Sequence, residues 1–225
     1  MEVQEFTIKY SFNDILKEEP LGTFATDFVN EIEFNVYLND SYSKPTVLIA
    51  KGKISQILFS LAADYQFSFY ELMNATQAIL EMSEMLFDFD EESDFWAKID
   101  AYFQEDVPLN QDICYLEFFE ILPNFRKKGI GKKIITSLVE RFYSSCGLWI
   151  LQGFPTQHSG YLDNIAFEDL DEWDQKMDYD DLDKDFEKSQ YKLFNYFQQM
   201  GFQNPFDRDY FIAEPYKFLS RERNE

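Results

Sequence analysis

Arg126-Lys127-Lys128-Gly129-Ile130-Gly131 brings together what an anion site requires: positive side chains, two glycines and the start of a helix. Backbone N–H groups converge at a helix N-terminus, and the helix dipole favours negative charge there. Glycine lets the main chain approach a phosphate with no Cβ in between. The chemistry open to such a loop is the holding of a phosphate-bearing ligand; a solvated basic turn is the plainer alternative. The elements that must position it are readable on both sides. Ile113 to Leu122 is rich in β-branched and aromatic residues and predicts a strand, which Pro123-Asn124 ends. After the loop, Ile134, Ile135, Leu138, Val139 and Phe142 recur at helical spacing. Lys132-Lys133 follows Gly131, so the Gly-Lys-Ser/Thr ending of triphosphate loops is missing, as is the three-glycine dinucleotide fingerprint.

A second segment stands in a telling order after the first. Tyr191 to Phe202 predicts a helix with an apolar stripe of Leu193, Phe194, Phe197 and Met200. Gly201 closes it where a left-handed residue is needed, and Phe202 follows. Leu148-Trp149-Ile150-Leu151 and Tyr210-Phe211-Ile212-Ala213 supply two short strands. Arg-x-x-Gly-x-Gly after a strand, then a helix ending in Gly-Phe, resembles the GNAT (GCN-related N-acetyltransferase) superfamily over about residues 111–154 and 188–214.

The resemblance implies an acetyl-CoA-dependent N-acetyltransferase that moves the acetyl group directly to a primary amine in a ternary complex. It implies cofactor contacts from the backbone of Arg126, Lys127, Lys128, Gly129, Ile130 and Gly131, with Lys127, Lys128 and Lys132 as candidates for the outer phosphates. It puts the CoA arm beside the helix that carries Phe197, and the N–H that holds the thioester carbonyl at Ile121 or Leu122. Acyl transfer also needs a base for the amine and an acid for the leaving thiolate. Tyr115 and Glu117 occupy alternating positions on one face of the loop strand, and Glu117 is the expected base. Glu120 should face the other way unless a bulge intervenes. Many family members carry a Tyr four residues before the Gly of the Gly-Phe pair; Phe197 stands there and has no proton to donate. Tyr196 lies one position earlier, about 100° around the helix, so it serves only if the helix is rotated; Tyr191 is more remote. Cys114 lies on the strand with no histidine near it in sequence, which argues against an acyl carrier. The reading from another class is a non-catalytic acidic interaction protein on a degenerate or CoA-binding scaffold.

The expected fold is α/β (α+β): a mixed, mostly antiparallel central sheet flanked by helices, in a single domain over 1–225. Ile32 to Leu38 alternates as a half-buried strand, and Thr46 to Ala50 with Lys53 to Phe59 predicts two strands or one long one. Residues 1–30 are ambiguous, with Asn13 to Leu16 as a possible short helix. Two insertions depart from the family pattern. Residues 61–108 predict helices, one from the capping box Ser68-Phe69-Tyr70-Glu71 through Leu72, Ala75, Ile79, Met82 and Leu86, another over Ser93 to Phe103. They make a packed cover, a dimer surface or a pocket wall. Residues 156–187 are crowded with Asp and Glu, and read first as a solvated acidic face and second as a lid that attracts a cationic substrate. Trp173, Met177, Tyr179, Leu182 and other apolar residues interleave with them, so the segment can form helices that dock by those residues. Asp178 to Asp185 lacks the mid-loop glycine of a calcium loop.

Composition limits the partners. The 225 residues are 45% hydrophobic and 19% aromatic, against disorder, and carry a net charge of −22. That charge disfavours nucleic-acid backbones and anionic membrane surfaces. It serves solubility, or steers a cationic small-molecule or peptide amine to the site. The apolar runs are too short to cross a bilayer, and Met1 to Glu5 has neither a basic nor an apolar signal region. Two cysteines are too few for a disulfide scaffold, and a lone histidine does not fit the ordinary zinc patterns. A cytoplasmic protein is expected, monomer or homodimer.

Overall fold

The computed structural model describes residues 5–12, 20–86, 99, 101, 103, 110–158, 165, 169–179, 182–205 and 209–222. Among the described residues, six strands form one open sheet in chain order: β1 (Phe6–Phe12), β2 (Val29–Asn39), β3 (Pro45–Ile57), β4 (Ile113–Ile121), β5 (Leu148–Gln152) and β6 (Tyr210–Ala213). The first four pair antiparallel, β4 and β5 pair parallel, and β5 and β6 pair antiparallel. A parallel pair needs a crossover, which α4 (Ile130–Phe142) provides. This is the expected mixed, mostly antiparallel sheet flanked by helices. The stretch expected as two strands or one forms a single long strand with irregular register that ends at Ile57, and Phe59, expected within it, opens a helix instead. β1 arises from a stretch whose sequence was ambiguous.

Side chains alternate between two cores. Phe34, Ile54, Cys114, Leu116, Trp149 and Phe211 pack under α4, α6 (Phe186–Met200) and α7 (Pro215–Glu222). Ile57, Ile113, Tyr115, Ile150 and Ile212 face α1 (Phe59–Asp64), α2 (Phe69–Met73) and α3 (Gln77–Leu86) on the other side. Covering both faces explains why β5 and β6 read as continuous apolar runs rather than alternating ones. The capping box forms: Ser68 Oγ accepts from the Glu71 N–H, and Glu71 Oε2 accepts from the Ser68 N–H. The helix expected through Leu86 is broken, however. Asn74 leaves helical geometry, and Thr76 Oγ1 accepts from the Ile79 N–H at 3.3 Å, capping a new helix. Most of the helix expected over Ser93 to Phe103, and Asn13 to Leu16, lie outside the described residues. Ile99 is fully buried in the second core.

Burial gives the molecule an alkaline limit. Desolvation raises the phenols of Tyr10, Tyr115, Tyr179, Tyr196 and Tyr210 above their ordinary value. Unfolded tyrosines ionise near pH 10 while the folded ones keep their protons, so the unfolded state binds fewer protons above that pH and stability falls as pH rises. Tyr115 alone, inside the second core, contributes a slope of about 1.4 kcal/mol per pH unit. Urea unfolding is expected to keep its midpoint from pH 8 to 9 and lose it steadily beyond pH 10. A flat midpoint to pH 11 would contradict this account.

Candidate functional site

β4 and β5 run side by side only from Ile113↔Leu148 to Leu116↔Leu151. Beyond Leu116 the ladder to β5 ends, while β4 continues against β3 as far as Ile121. The two parallel strands therefore part, and a cleft of about 510 Å³ lies between them. Its walls come from β4 between Leu116 and Ile121, from Leu151 and Gln152 of β5, from the glycine loop, from α6, and from Met177, Tyr179 and Leu182.

The register of β4 decides which main-chain groups face this gap. The Leu122 N–H donates to the Ile49 carbonyl at 2.9 Å, so Leu122 directs its main chain to β3. Antiparallel residues alternate in this respect, so Phe119 and Ile121 direct theirs away from β3, into the gap. Of the two N–H groups expected for a thioester carbonyl, Ile121 is thus available and Leu122 is not.

A bulge sets the carboxylates. Lys53 pairs with Phe118 and Ile54 with Leu116, which leaves Glu117 as the extra residue of β4. The insertion shifts the alternation by one, so Glu117 and Glu120 share a face, against the simple expectation for Glu120. Glu117 accepts from Ser55 Oγ and lies 3.3 Å from Lys53 Nζ. Lys53 also pairs with Glu31. Burial would lower the Lys53 ammonium, but bonding to Glu31 and the charge of Glu117 outweigh it and hold its pKa above the ordinary value. Glu117 is half-buried at the cleft wall, with carboxylate lone pairs beyond those two partners.

Glu120 is engaged differently. Its Oε2 accepts from Trp173 Nε1 and its Oε1 from Tyr179 Oη, both at 2.8 Å. Lys51 lies 5.1 Å from the Trp173 ring centroid and 3.8 Å from Glu120. These contacts dock α5 (Glu172–Met177), capped by Asp171 Oδ1 accepting from the Asp174 N–H. Trp173 and Met177 are buried, so this part of the acidic insertion docks by its apolar residues, as the sequence implied. Asp183 pairs with Lys188 and Lys192, which hold its carboxyl well below the usual range. Asp180 and Asp181 lie outside the described residues.

The loop enters α4 through two left-handed residues, Lys127 (φ 57°) and Gly129 (φ 73°). Lys133 N–H donates to the Gly129 carbonyl at 3.2 Å, so the N–H groups of Gly129, Ile130 and Gly131 precede the first intrahelical bond. A Cβ on Gly131 would lie 2.6 Å from Tyr196 Oη and 3.1 Å from Ile121 Cδ1. Tyr196 therefore reaches the loop with its hydroxyl, and burial pushes its pKa up to about 12. Phe197 is buried against Phe202 and Phe211, and it also borders the cleft. α6 is thus turned so that Tyr196, not its neighbour, offers a polar group to the site. Gly201 ends α6 at φ 101°, as expected.

Several expected contacts are placed elsewhere. Tyr115 shares a face with Glu117 but is buried against Tyr210 in the second core and does not line the cleft. Arg126 lines the cleft, but its N–H is bonded to the Pro123 carbonyl and its guanidinium donates to the carbonyls of Ile121 and Met177. Lys127 borders the cleft; Lys128, Ile130 and Lys132 do not, and Lys128 lies over Phe125. Among the described residues no group of three His, Cys, Asp or Glu is arranged to hold a metal, and no helix is long and apolar enough to cross a membrane. No protein-family model, curated protein or solved structure matches the chain.

Proposed function

We propose that this chain is an acyltransferase of the GNAT kind, which carries an acetyl group from acetyl-CoA to a primary amine, in the cytoplasm. One observation carries the reading: a parallel strand pair that parts beside a glycine-bearing helix N-terminus, with the Ile121 N–H directed into the gap. The fit to CoA is supported at Gly131, whose missing Cβ leaves room for Tyr196 Oη, and at Gly129, where nothing lies within 4 Å of a Cβ and the mouth of the loop stays open. The N–H groups of Gly129 and Gly131, which border the cleft, would hold the pyrophosphate, with Lys127 beside them. Bound acetyl-CoA supplies an activated acyl carbon and a thiolate leaving group.

The chain's own residues have distinct tasks. Glu117 takes the proton of the attacking amine, directly or through water, while Ser55 and Lys53 fix its carboxylate. The Ile121 N–H donates to the oxygen that gains charge as the new C–N bond forms. Tyr196, protonated at neutral pH because its pKa is near 12, delivers a proton as the C–S bond breaks. The acidic charge of the molecule favours a cationic acceptor.

Calorimetric titration with acetyl-CoA tests this directly, with Gly129→Glu as the control. A Cβ there meets no neighbour, so the variant bears only left-handed strain of about 1 kcal/mol and is expected to fold, but its carboxylate sits where the phosphates belong. Saturable binding by wild type and its loss in the variant are expected, followed by turnover in an amine screen that starts with polyamines and aminoglycosides. A folded wild type that binds no acetyl-CoA would overturn the proposal. A second reading, a scaffold that binds CoA without turnover, draws on the full engagement of Glu120 and on Phe197; binding with no acetylation of any amine would favour it.

A further inference from the structure

Unlike the exposed Lys127 and Lys128, Arg126 is half-buried in the wall of the cleft. Its Nε donates to the Ile121 carbonyl and its Nη2 to the Met177 carbonyl, both at 2.8 Å. Each acceptor is one the chain leaves needy. Ile121 ends β4 with its main chain directed into the gap, where β5 has already departed. Met177 is the last residue of α5, and the final carbonyls of a helix have no intrahelical donor. A planar guanidinium can serve both at once, because its donors form a fixed fork. Glu120, the residue before Ile121, grips the same segment through Trp173 and Tyr179.

We propose that Arg126 is a positioning residue rather than a phosphate ligand: it couples the docking of residues 173–179 over the cleft to the orientation of Ile121, the residue whose N–H meets the acyl oxygen. The role at the acyl oxygen rests on the acyltransferase reading; the clamp itself rests on the two hydrogen bonds. In an extended residue N–H and C=O point to the same side, so fixing the Ile121 carbonyl fixes the direction of its N–H. The acidic segment then acts on the site through this contact as well as by covering it.

Two ligands separate the possibilities. S-ethyl coenzyme A has every phosphate of acetyl-CoA and no carbonyl. Wild type is expected to bind acetyl-CoA about fivefold more tightly, the worth of one hydrogen bond. Arg126→Met should erase that preference and leave affinity for S-ethyl coenzyme A within about twofold, since no phosphate contact is lost. Arg126→Lys should behave like Arg126→Met, because a flexible ammonium lacks the fixed fork that aims a separate N–H at each carbonyl. In both variants amide hydrogen exchange at Ile121 and across 173–179 should quicken about tenfold as the segment loosens. Equal weakening of both ligands in Arg126→Met with recovery in Arg126→Lys would identify a phosphate ligand and overturn the proposal. So would an unchanged preference with unchanged exchange. If wild type binds neither ligand, the acyltransferase reading falls, and exchange alone decides the clamp: faster exchange in the variants upholds it, and unchanged exchange ends it.

Discussion

Glu117→Gln is expected to lower the turnover of the best amine found by screening by about 10² to 10⁴, the usual weight of a positioned general base. Affinity for acetyl-CoA should stay within about twofold, because the side chain acts on the acceptor and not on the cofactor. Glutamine keeps the shape of Glu117 and can still accept from Ser55 Oγ, but it cannot take a proton. Lys53 retains Glu31 as a partner, so the substitution does not strand a buried cation. Glu120→Gln is the informative comparison. Both Glu120 oxygens are committed to Trp173 and Tyr179, so that variant should loosen the acidic segment more than it impairs proton transfer. Steady-state kinetics over pH 6–9 for the two variants would separate the roles. Turnover of Glu117→Gln within about threefold of wild type would remove Glu117 from the chemistry, since no general base is worth so little.

What the sequence disclosed and what it withheld follow from the range of the forces involved. The loop, the α4 stripe and the Gly201 cap are local: glycine conformations and 3.6-residue spacing are written in consecutive residues, and each formed as expected. The order of the last strands was legible for the same reason. The position of Glu120 was not, because the bulge at Glu117 exists only in the register between β4 and β3, some sixty residues away in the chain. The inward reach of the Arg126 side chain was not legible either, because its partners, Ile121 and Met177, are main-chain carbonyls that no side-chain pattern advertises. Tyr115 was misplaced for a related reason: alternation gave its face correctly, but the depth of cover over that face depends on α1 to α3. Trp173 and Tyr179, by contrast, gave a signal, since large aromatics amid carboxylates have to bury their rings somewhere. Sequence could name them as docking residues and could not name Glu120 as their dock.

Gly52→Ala is expected to be the most destabilising single methyl added to this sheet, by about 3 kcal/mol. Gly52 pairs with Phe119 on β4, beside the bulge. A Cβ there would lie 2.4 Å from Phe34 Cζ and 2.6 Å from the Phe118 carbonyl oxygen. Neither neighbour has room to yield. Phe34 is fully buried in the larger core, and the Phe118 carbonyl belongs to a residue paired with Lys53 in the β3–β4 ladder. Relief therefore requires the two strands to separate, and it does so at the irregularity that brings Glu117 and Glu120 onto one face. Gly129→Ala provides the contrast, since its added Cβ meets nothing and the cost is left-handed strain of about 1 kcal/mol. Urea unfolding with a constant slope should give a much lower midpoint for Gly52→Ala than for Gly129→Ala. Gly52→Ala, assayed below its unfolding temperature, should lose amine turnover while the loop still binds acetyl-CoA. Equal midpoints for the two variants would mean that the strands absorb the methyl freely, and that the close approach at Gly52 does not hold the bulge in place.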